Sequence, residues 1–360
     1  MKKALIPVLV SLSFSLSAAP RRRSLPQPEW FPRCSVITGL PAVTFTRDQG
    51  RTLTPIAEGL SGVGYTYGLV ALDEPKTLLA WHKSTLSLSS DGGCSWRPVG
   101  QIADFDFPPR LVAGRGGRAY AWSDARVYLI RYDSRGPVAL KSPGALIGLA
   151  VDPLNAEHIR AGDTDGAIWD SVDGGASFTR IGSLKSALLY RFAFDPHNLD
   201  HIVAGTATTG AYVTFDGGLT WTRSGTASAN VFELAISPAD SNTVFAEGIN
   251  LAESDANVPS HGRHIYLSRD GGATYKPVVD EAPGVQLVNG PTMAAHPTNR
   301  DVVYFIFGTY FQGYGTDVFR YDDAAHALTV EHNGYDDVNA IAFDRDDPNL
   351  MYLGLEVVKP

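Results

Sequence analysis

Apolar and polar positions alternate in short bursts along most of this chain, and the bursts come in pairs. "LAVDPLNAEHIRAG" (149–162), "FAFDPHNLDHIVAG" (192–205) and "LAISPADSNTVFAE" (234–247) share one phrasing. In each, a short apolar run enters a turn rich in Asp, Pro or Asn and a second apolar run leaves it, which predicts two strands joined tightly. A third run follows, as in "GAYVTFD" (210–216), and then a fourth, as in "LTWTRSG" (219–225). No segment carries the period of a long amphipathic helix.

A polar motif recurs between the third and fourth runs: "SSDGGCSW" (89–96), "SVDGGASF" (171–178), "TFDGGLTW" (214–221) and "SRDGGATY" (268–275). "TRDQGRTL" (46–53) is a looser copy, and "RYDSRGPV" (131–138) and "RYDDAAHA" (320–327) are eroded ones. The aligned aspartates, Asp48, Asp91, Asp133, Asp173, Asp216, Asp270 and Asp322, are 43, 42, 40, 43, 54 and 52 residues apart. Four short strands in each such period predict a β-propeller. The expectation is an all-β chain forming a single seven-bladed β-propeller of four-stranded antiparallel blades. Its seventh blade is split between "NAIAFDRDDPNLMYLGLEV" (339–357) and "AVTFTRDQGRTLTPI" (42–56), so the ring closes by pairing of N- and C-terminal strands.

The motif suits a hairpin. Aspartate accepts backbone N–H bonds two or three residues on. The glycine pair permits positive φ, and the aromatics Trp96, Phe178, Trp221 and Tyr275 can pack back between sheets. The S/T-x-D-G-G-x-S/T-W/F/Y pattern resembles the Asp-box, or BNR, repeat of sialidases, sortilin-type receptors, xyloglucanase-type glycoside hydrolases and photosystem assembly factor propellers. The resemblance covers essentially the whole mature chain and implies the propeller fold. It implies no single activity, because the box recurs across unrelated ones. Asp48, Asp91, Asp173, Asp216 and Asp270 therefore read as structural Asp-box residues.

The first twenty residues stand apart. "MKKALIPVLVSLSFSLSAAP" has Lys2 and Lys3, an apolar run, and then the small residues Ser17, Ala18 and Ala19. That is the layout of a signal peptide over 1–19, which predicts a periplasmic or secreted protein. The apolar run is short for a bilayer span, and no second one follows. Residues 20–41 read as a Pro- and Arg-rich tail, and 42–360 as the propeller. Removing Lys2 and Lys3 takes the formal net charge from -8 to -10. An acidic chain has no global electrostatic reason to bind nucleic acid or anionic lipid, and Arg21–Arg23 reads as a solvated leader. Two cysteines are present, Cys34 and Cys94. In an oxidising compartment a disulfide is one reading and two thiols the other.

Second-to-third strand loops emerge on the face opposite the aspartate turns. Two insertions there, "LAESDANVPSHGRH" (251–264) and "GTYFQGYGTD" (308–317), account for the two stretched spacings. Loops on a rigid scaffold carry function, so Glu253, Asp255, His261, Arg263, His264, Tyr310, Phe311 and Tyr314 are ligand-binding candidates. Starts of innermost strands place Asp104, Asp106, Arg191, Glu233, Asn289 and Asn339 on the channel. Paired carboxylates across a cleft serve glycoside hydrolysis, which makes Asp104, Asp106 and Glu233 the catalytic candidates. The "DTDG" at 163–166 lacks the later ligands of a calcium loop, and neither metal nor cofactor is expected.

The favoured reading is an exported, monomeric, non-catalytic propeller that binds a protein partner or polysaccharide through its loop face. The alternative is a secreted glycoside hydrolase of the xyloglucanase or sialidase type. Sialidases resemble six-bladed rings with an Arg-Ile-Pro phrase and an arginine triad, whereas "FPRC" is the nearest phrase here. A xyloglucanase-type enzyme resembles two propellers clasping a glycan, and this chain has room for one. Modulation of a protease is a third class, for which no single residue argues.

Overall fold

The computed structural model describes residues 43–46, 54–56, 64–82, 84–102, 110–123, 126–131, 136–185, 188–225, 230–287, 292–308, 316–333 and 337–357. All of them belong to the compact unit Pro32–Pro360. The expected signal peptide (1–19), the tail (20–41), Cys34, Asp48, Asp104, Asp106, Asn289, Tyr310, Phe311 and Tyr314 lie outside the described residues.

The chain folds as an all-β propeller of antiparallel strands. It opens with the hairpin β1 (Val43–Thr46) and β2 (Thr54–Ile56). A first meander follows in β3 (Gly64–Ala71), β4 (Leu78–His82), β5 (Thr85–Ser89) and β6 (Arg97–Gln101). A second has β7 (Arg110–Ala113), β8 (Arg118–Ser123), β9 (Arg126–Arg131) and β10 (Gly136–Leu140). The third comprises β11 (Leu146–Val151), β12 (Ile159–Asp163), β13 (Ala167–Ser171) and β14 (Thr179–Ser183). The fourth comprises β15 (Leu189–Asp195), β16 (Asn198–Thr206), β17 (Ala211–Thr214) and β18 (Thr222–Arg223). The fifth takes in β19 (Asn230–Ile236), β20 (Val244–Ile249), the helix α1 (Leu251–Asp255), β21 (Arg263–Ser268) and β22 (Lys276–Asp280). The last meander is β23 (Met293–Ala295), β24 (Val302–Gly308), β25 (Thr316–Asp322) and β26 (Ala327–Asn333), and the chain then adds β27 (Asp337–Phe343) and β28 (Met351–Val357).

The expectation of seven blades is corrected: these strands form six sheets, five of four strands and one of eight. The eight-stranded sheet arises because β28 pairs with β27, with β1 and also with β3. β1 ends its register at Gly354, while β28 continues to Val357, where Glu356 meets Tyr65 and Val357 meets Gly64. Strand edges left unpaired recruit the next available backbone. The terminal strands therefore do not stand as a separate seventh sheet.

The four close copies of the motif close the β5–β6, β13–β14, β17–β18 and β21–β22 connections. Asp173 Oδ1 accepts the Ser177 N–H at 2.9 Å, and its Oδ2 accepts the Ser177 hydroxyl at 2.6 Å. Ser171 donates its hydroxyl to Asp173 at 2.8 Å and accepts the Gly175 N–H at 2.8 Å. Asp91, Asp216 and Asp270 repeat the arrangement with Ser95, Thr220 and Thr274. The carboxylate thus reaches four residues on, not two or three, because the two glycines turn the backbone through positive φ. At Gly218 that φ is +93°, and a Cβ there would lie 2.7 Å from Ile168 of the preceding sheet.

The core lies between sheets. Phe245, Ile265 and Leu267 of the β19–β22 sheet pack on Val303, Phe305 and Phe319 of its neighbour. Phe305 and Phe319 stack with ring centroids 5.0 Å apart. Truncating one such ring to alanine costs about 3–5 kcal/mol. Phe178, Trp221 and Tyr275 pack into these inter-sheet clusters. The turns themselves are tied across sheets: Ser183 N donates to Gly218 O at 3.1 Å and Tyr275 N to Gly225 O at 2.8 Å.

Candidate functional site

The innermost strands β3, β7, β11, β15, β19 and β27, with Thr292 just before β23, line a channel of about 750 Å³. Its wall is largely apolar, with Leu111, Leu149, Phe192 and Leu234 among the lining residues, and Arg110, Arg191 and Asn339 sit where the innermost strands begin. Arg110 and Arg191 are brought together by Glu233. Arg191 Nε lies 2.7 Å from Glu233 Oε1, and Arg110 Nη2 lies 3.6 Å from Oε2. The Arg191 contact is an ion pair off the N–H axis, since neither Nε nor Nη1 of Arg191 has a hydrogen-bond partner. Arg110 also covers the Trp122 ring, 6.0 Å from its centroid.

Glu233 is buried, and so is its cross-strand neighbour Glu247. Burial pushes the Glu233 carboxyl above its ordinary value, with Arg110 drawing it partly back. Glu247 is driven well above its ordinary value by burial first and by the charge of Glu233 second. Its Oε2 has no hydrogen-bond partner. Of two acids side by side in a low-dielectric patch, the one without an arginine partner, Glu247, favours the neutral form.

The first insertion folds as α1 and a return to β21. Asn250 caps the helix, accepting the Glu253 N–H at 3.4 Å and donating Nδ2 to Glu253 Oε1 at 2.7 Å. Glu253 Oε2 then meets His264 Nε2 at 2.8 Å, while His264 Nδ1 meets Asp280 at 2.8 Å. His261 pairs with Glu281 at 2.9 Å, and Arg263 lies 3.7 Å from the same carboxylate and donates to Leu287 O at 3.2 Å. Glu253, His261, Arg263 and His264 thus converge, but on one another, on Asp280 of β22 and on Glu281 and Leu287 beyond it, so their polar groups hold the insertion to its sheet. Asp255 is exposed at the end of α1.

Of the catalytic candidates, only Glu233 lies among the described residues. Arg110 and Glu247 were not singled out in the sequence. An acid inside the apolar run "TVFAEGI" was the available signal, because a fully buried carboxyl demands a partner or a proton. Tyr190 and Phe232, the chain neighbours of Arg191 and Glu233, stack at 5.3 Å and carried no such signal. Among the described residues no group of three or more His, Cys, Asp or Glu side chains is placed to hold a metal. No helix there is long and apolar enough to cross a membrane.

No protein-family profile matches the chain. The dispase autolysis-inducing protein of Streptomyces mobaraensis is 47% identical over 338 residues, covering 91% of this chain and 90% of its own length. Among solved structures, the GH74 xyloglucanase from Xanthomonas campestris matches with a TM-score of 0.60 at 14% identity, over 81% of this chain and 51% of that one. YCF48 bound to D1 peptide matches with a TM-score of 0.55 at 12% identity, over 82% and 94%. At such identities the likeness is one of fold, and the chain spans about half the length of the GH74 enzymes.

Proposed function

The chain belongs to the family of the dispase autolysis-inducing protein, and from that premise we propose that it is an exported, non-catalytic propeller that binds a protease and promotes its self-cleavage. Binding uses the end of the ring that carries α1 and the arginine-lined channel mouth. In this reading the signal over 1–19 delivers a monomer to the periplasm or medium, and the four aspartate turns are Asp boxes with a purely structural role.

One observation carries the reading. Glu233 is paired with Arg191 and Arg110, and the described carboxyl opposite it, Glu247, is on the adjoining strand of the same sheet. A glycoside hydrolase needs an acid and a second carboxylate on opposite sides of the scissile bond. Among the described residues, these two acids are buried on one sheet and Glu233 is turned to arginine, so this pair does not stand that way.

The test mixes the mature protein with active dispase and with dispase whose active site has been chemically blocked, and follows fragments by gel and mass spectrometry. Faster fragmentation of active dispase, with the blocked form left intact but co-eluting with the propeller, is the expected result. Cleavage of the blocked form would make the propeller a protease. Release of sugar from xyloglucan, lost in Glu233→Gln, would make it a hydrolase.

A further inference from the structure

The channel mouth carries cationic groups with unused hydrogen-bonding capacity. Arg191 has two buried guanidinium nitrogens without hydrogen-bond partners, and its side chain, 22% exposed, lines the channel. Arg110 lines the same channel and is 48% exposed. Their shared counter-ion, Glu233, sits off the Arg191 N–H axis and 3.6 Å from Arg110. Its burial also weakens its charge. Further along the wall stand Arg115 and Arg345, and among the described lining residues the acid is Asp152, which is already paired with His158 at 2.9 Å. A channel lined by four arginines in a chain of net charge -8 concentrates positive potential where an anion can enter.

The surface beside the pair is apolar. Tyr190 and Phe232 stack at the starts of β15 and β19. Leu188 is 65% exposed and held at φ +52°, a backbone conformation costly for leucine. Strain of that kind persists where surrounding structure imposes it.

We propose that Arg191 and Arg110 form a carboxylate-binding site for an acidic peptide segment of the partner, whose flanking apolar side chains rest on Tyr190 and Leu188. This rests on the protein-binding reading above and specifies its chemistry. A guanidinium fork takes a carboxylate through two parallel N–H bonds, so the incoming oxygens satisfy nitrogens that Glu233 leaves unfilled after a small rotation of the Arg191 head. Exposed leucine beside an aromatic pair fits the alternation of apolar and acidic side chains in a peptide better than a uronate chain, whose outer surface is hydroxylated.

The experiment uses fluorescence anisotropy with a labelled, terminally blocked peptide built on a Leu-Glu-Tyr core, and the same peptide with Gln for Glu. Oligogalacturonate and inorganic phosphate serve as competing probes. Binding of the Glu peptide, weakened at least about tenfold in the Gln peptide, in Arg191→Met and in Arg110→Met, is the expected result. Arg110 is half exposed, so Arg110→Met keeps the test valid should Arg191→Met not fold, and Arg191→Lys, charged but without the fork, should recover only part of the affinity. Equal affinity for the two peptides, unchanged affinity in Arg110→Met, no binding of either peptide, or displacement only by oligogalacturonate would overturn the site. The same variants in the dispase assay separate the two ideas. Undiminished autolysis with Arg110→Met would sink the carboxylate site alone, whereas no effect of the unmodified propeller would sink the protease reading itself.

Discussion

Glu247 stands directly opposite Glu233 across the β19–β20 pair, and both carboxyls are buried, Glu247 at 2% exposure. Since burial holds Glu247 well above its ordinary value, the folded protein keeps a proton that the unfolded chain releases. Stability contributed by that proton is full below the unfolded value and falls as pH rises toward the folded one. Glu247→Gln keeps the shape of the neutral acid and removes the titration. Urea melts should show the variant gaining on the parent between about pH 5 and about pH 8. An equal offset at both pH values would mean that Glu247 is ionised in the native protein.

Gly218 and Gly284 separate backbone strain from crowding. Both have positive φ, +93° and +83°, but a Cβ on Gly218 meets Ile168 at 2.7 Å whereas one on Gly284 meets nothing within 4 Å. Gly284→Ala should cost about 1–2 kcal/mol, the left-handed penalty alone. Gly218→Ala should cost about 1–3 kcal/mol more, from overpacking against the preceding sheet. Equal losses by denaturant titration would show that Ile168 yields freely.

The aspartate turns set an acid limit. Hydrogen bonds, first from the Ser177 hydroxyl, hold Asp173 at about 2, and bonds led by the Thr214 hydroxyl hold Asp216 at about 2. Both values are depressed below the unfolded 3.8, so the stability they add is present above 3.8 and lost as pH falls through about 2. A variant with Asp173→Asn and Asp216→Asn should lose less stability than the parent across that window. Parallel curves by circular dichroism would show that the turns do not contribute to the acid response.

Cys34 and Cys94 are the two cysteines of the chain. A non-reducing digest is expected to contain one Cys34–Cys94 cross-linked peptide that vanishes on reduction, and Cys94→Ser should lower stability by about 2–4 kcal/mol. Two thiols that alkylate in the native, unreduced protein would refute the bridge.

The four-strand phrase and the aspartate turns were legible in the sequence because their chemistry is local. Ser171, Asp173, Gly175 and Ser177 lie within one hairpin, so spacing alone states which groups can meet. The second-strand histidines were legible only in hindsight: His158 and His201 each pair with the aspartate six residues back, at 2.9 Å.

The number of sheets and the character of the channel were decided only in three dimensions. Whether β28 fuses with β3 depends on β1 ending its register at Gly354, three positions before β28 ends at Val357, a comparison between strands three hundred residues apart. Glu233 read as a catalytic candidate on the channel, and its partners Arg110 and Arg191 were hidden because they arrive from two other sheets. The partners of the insertion 251–264 were hidden in the same way: His264 meets Asp280 of β22, and His261 meets Glu281 just beyond it. Local hydrogen bonds are set by sequence spacing, while burial and charge depend on which distant segments close around a group, and only the closed ring determines those.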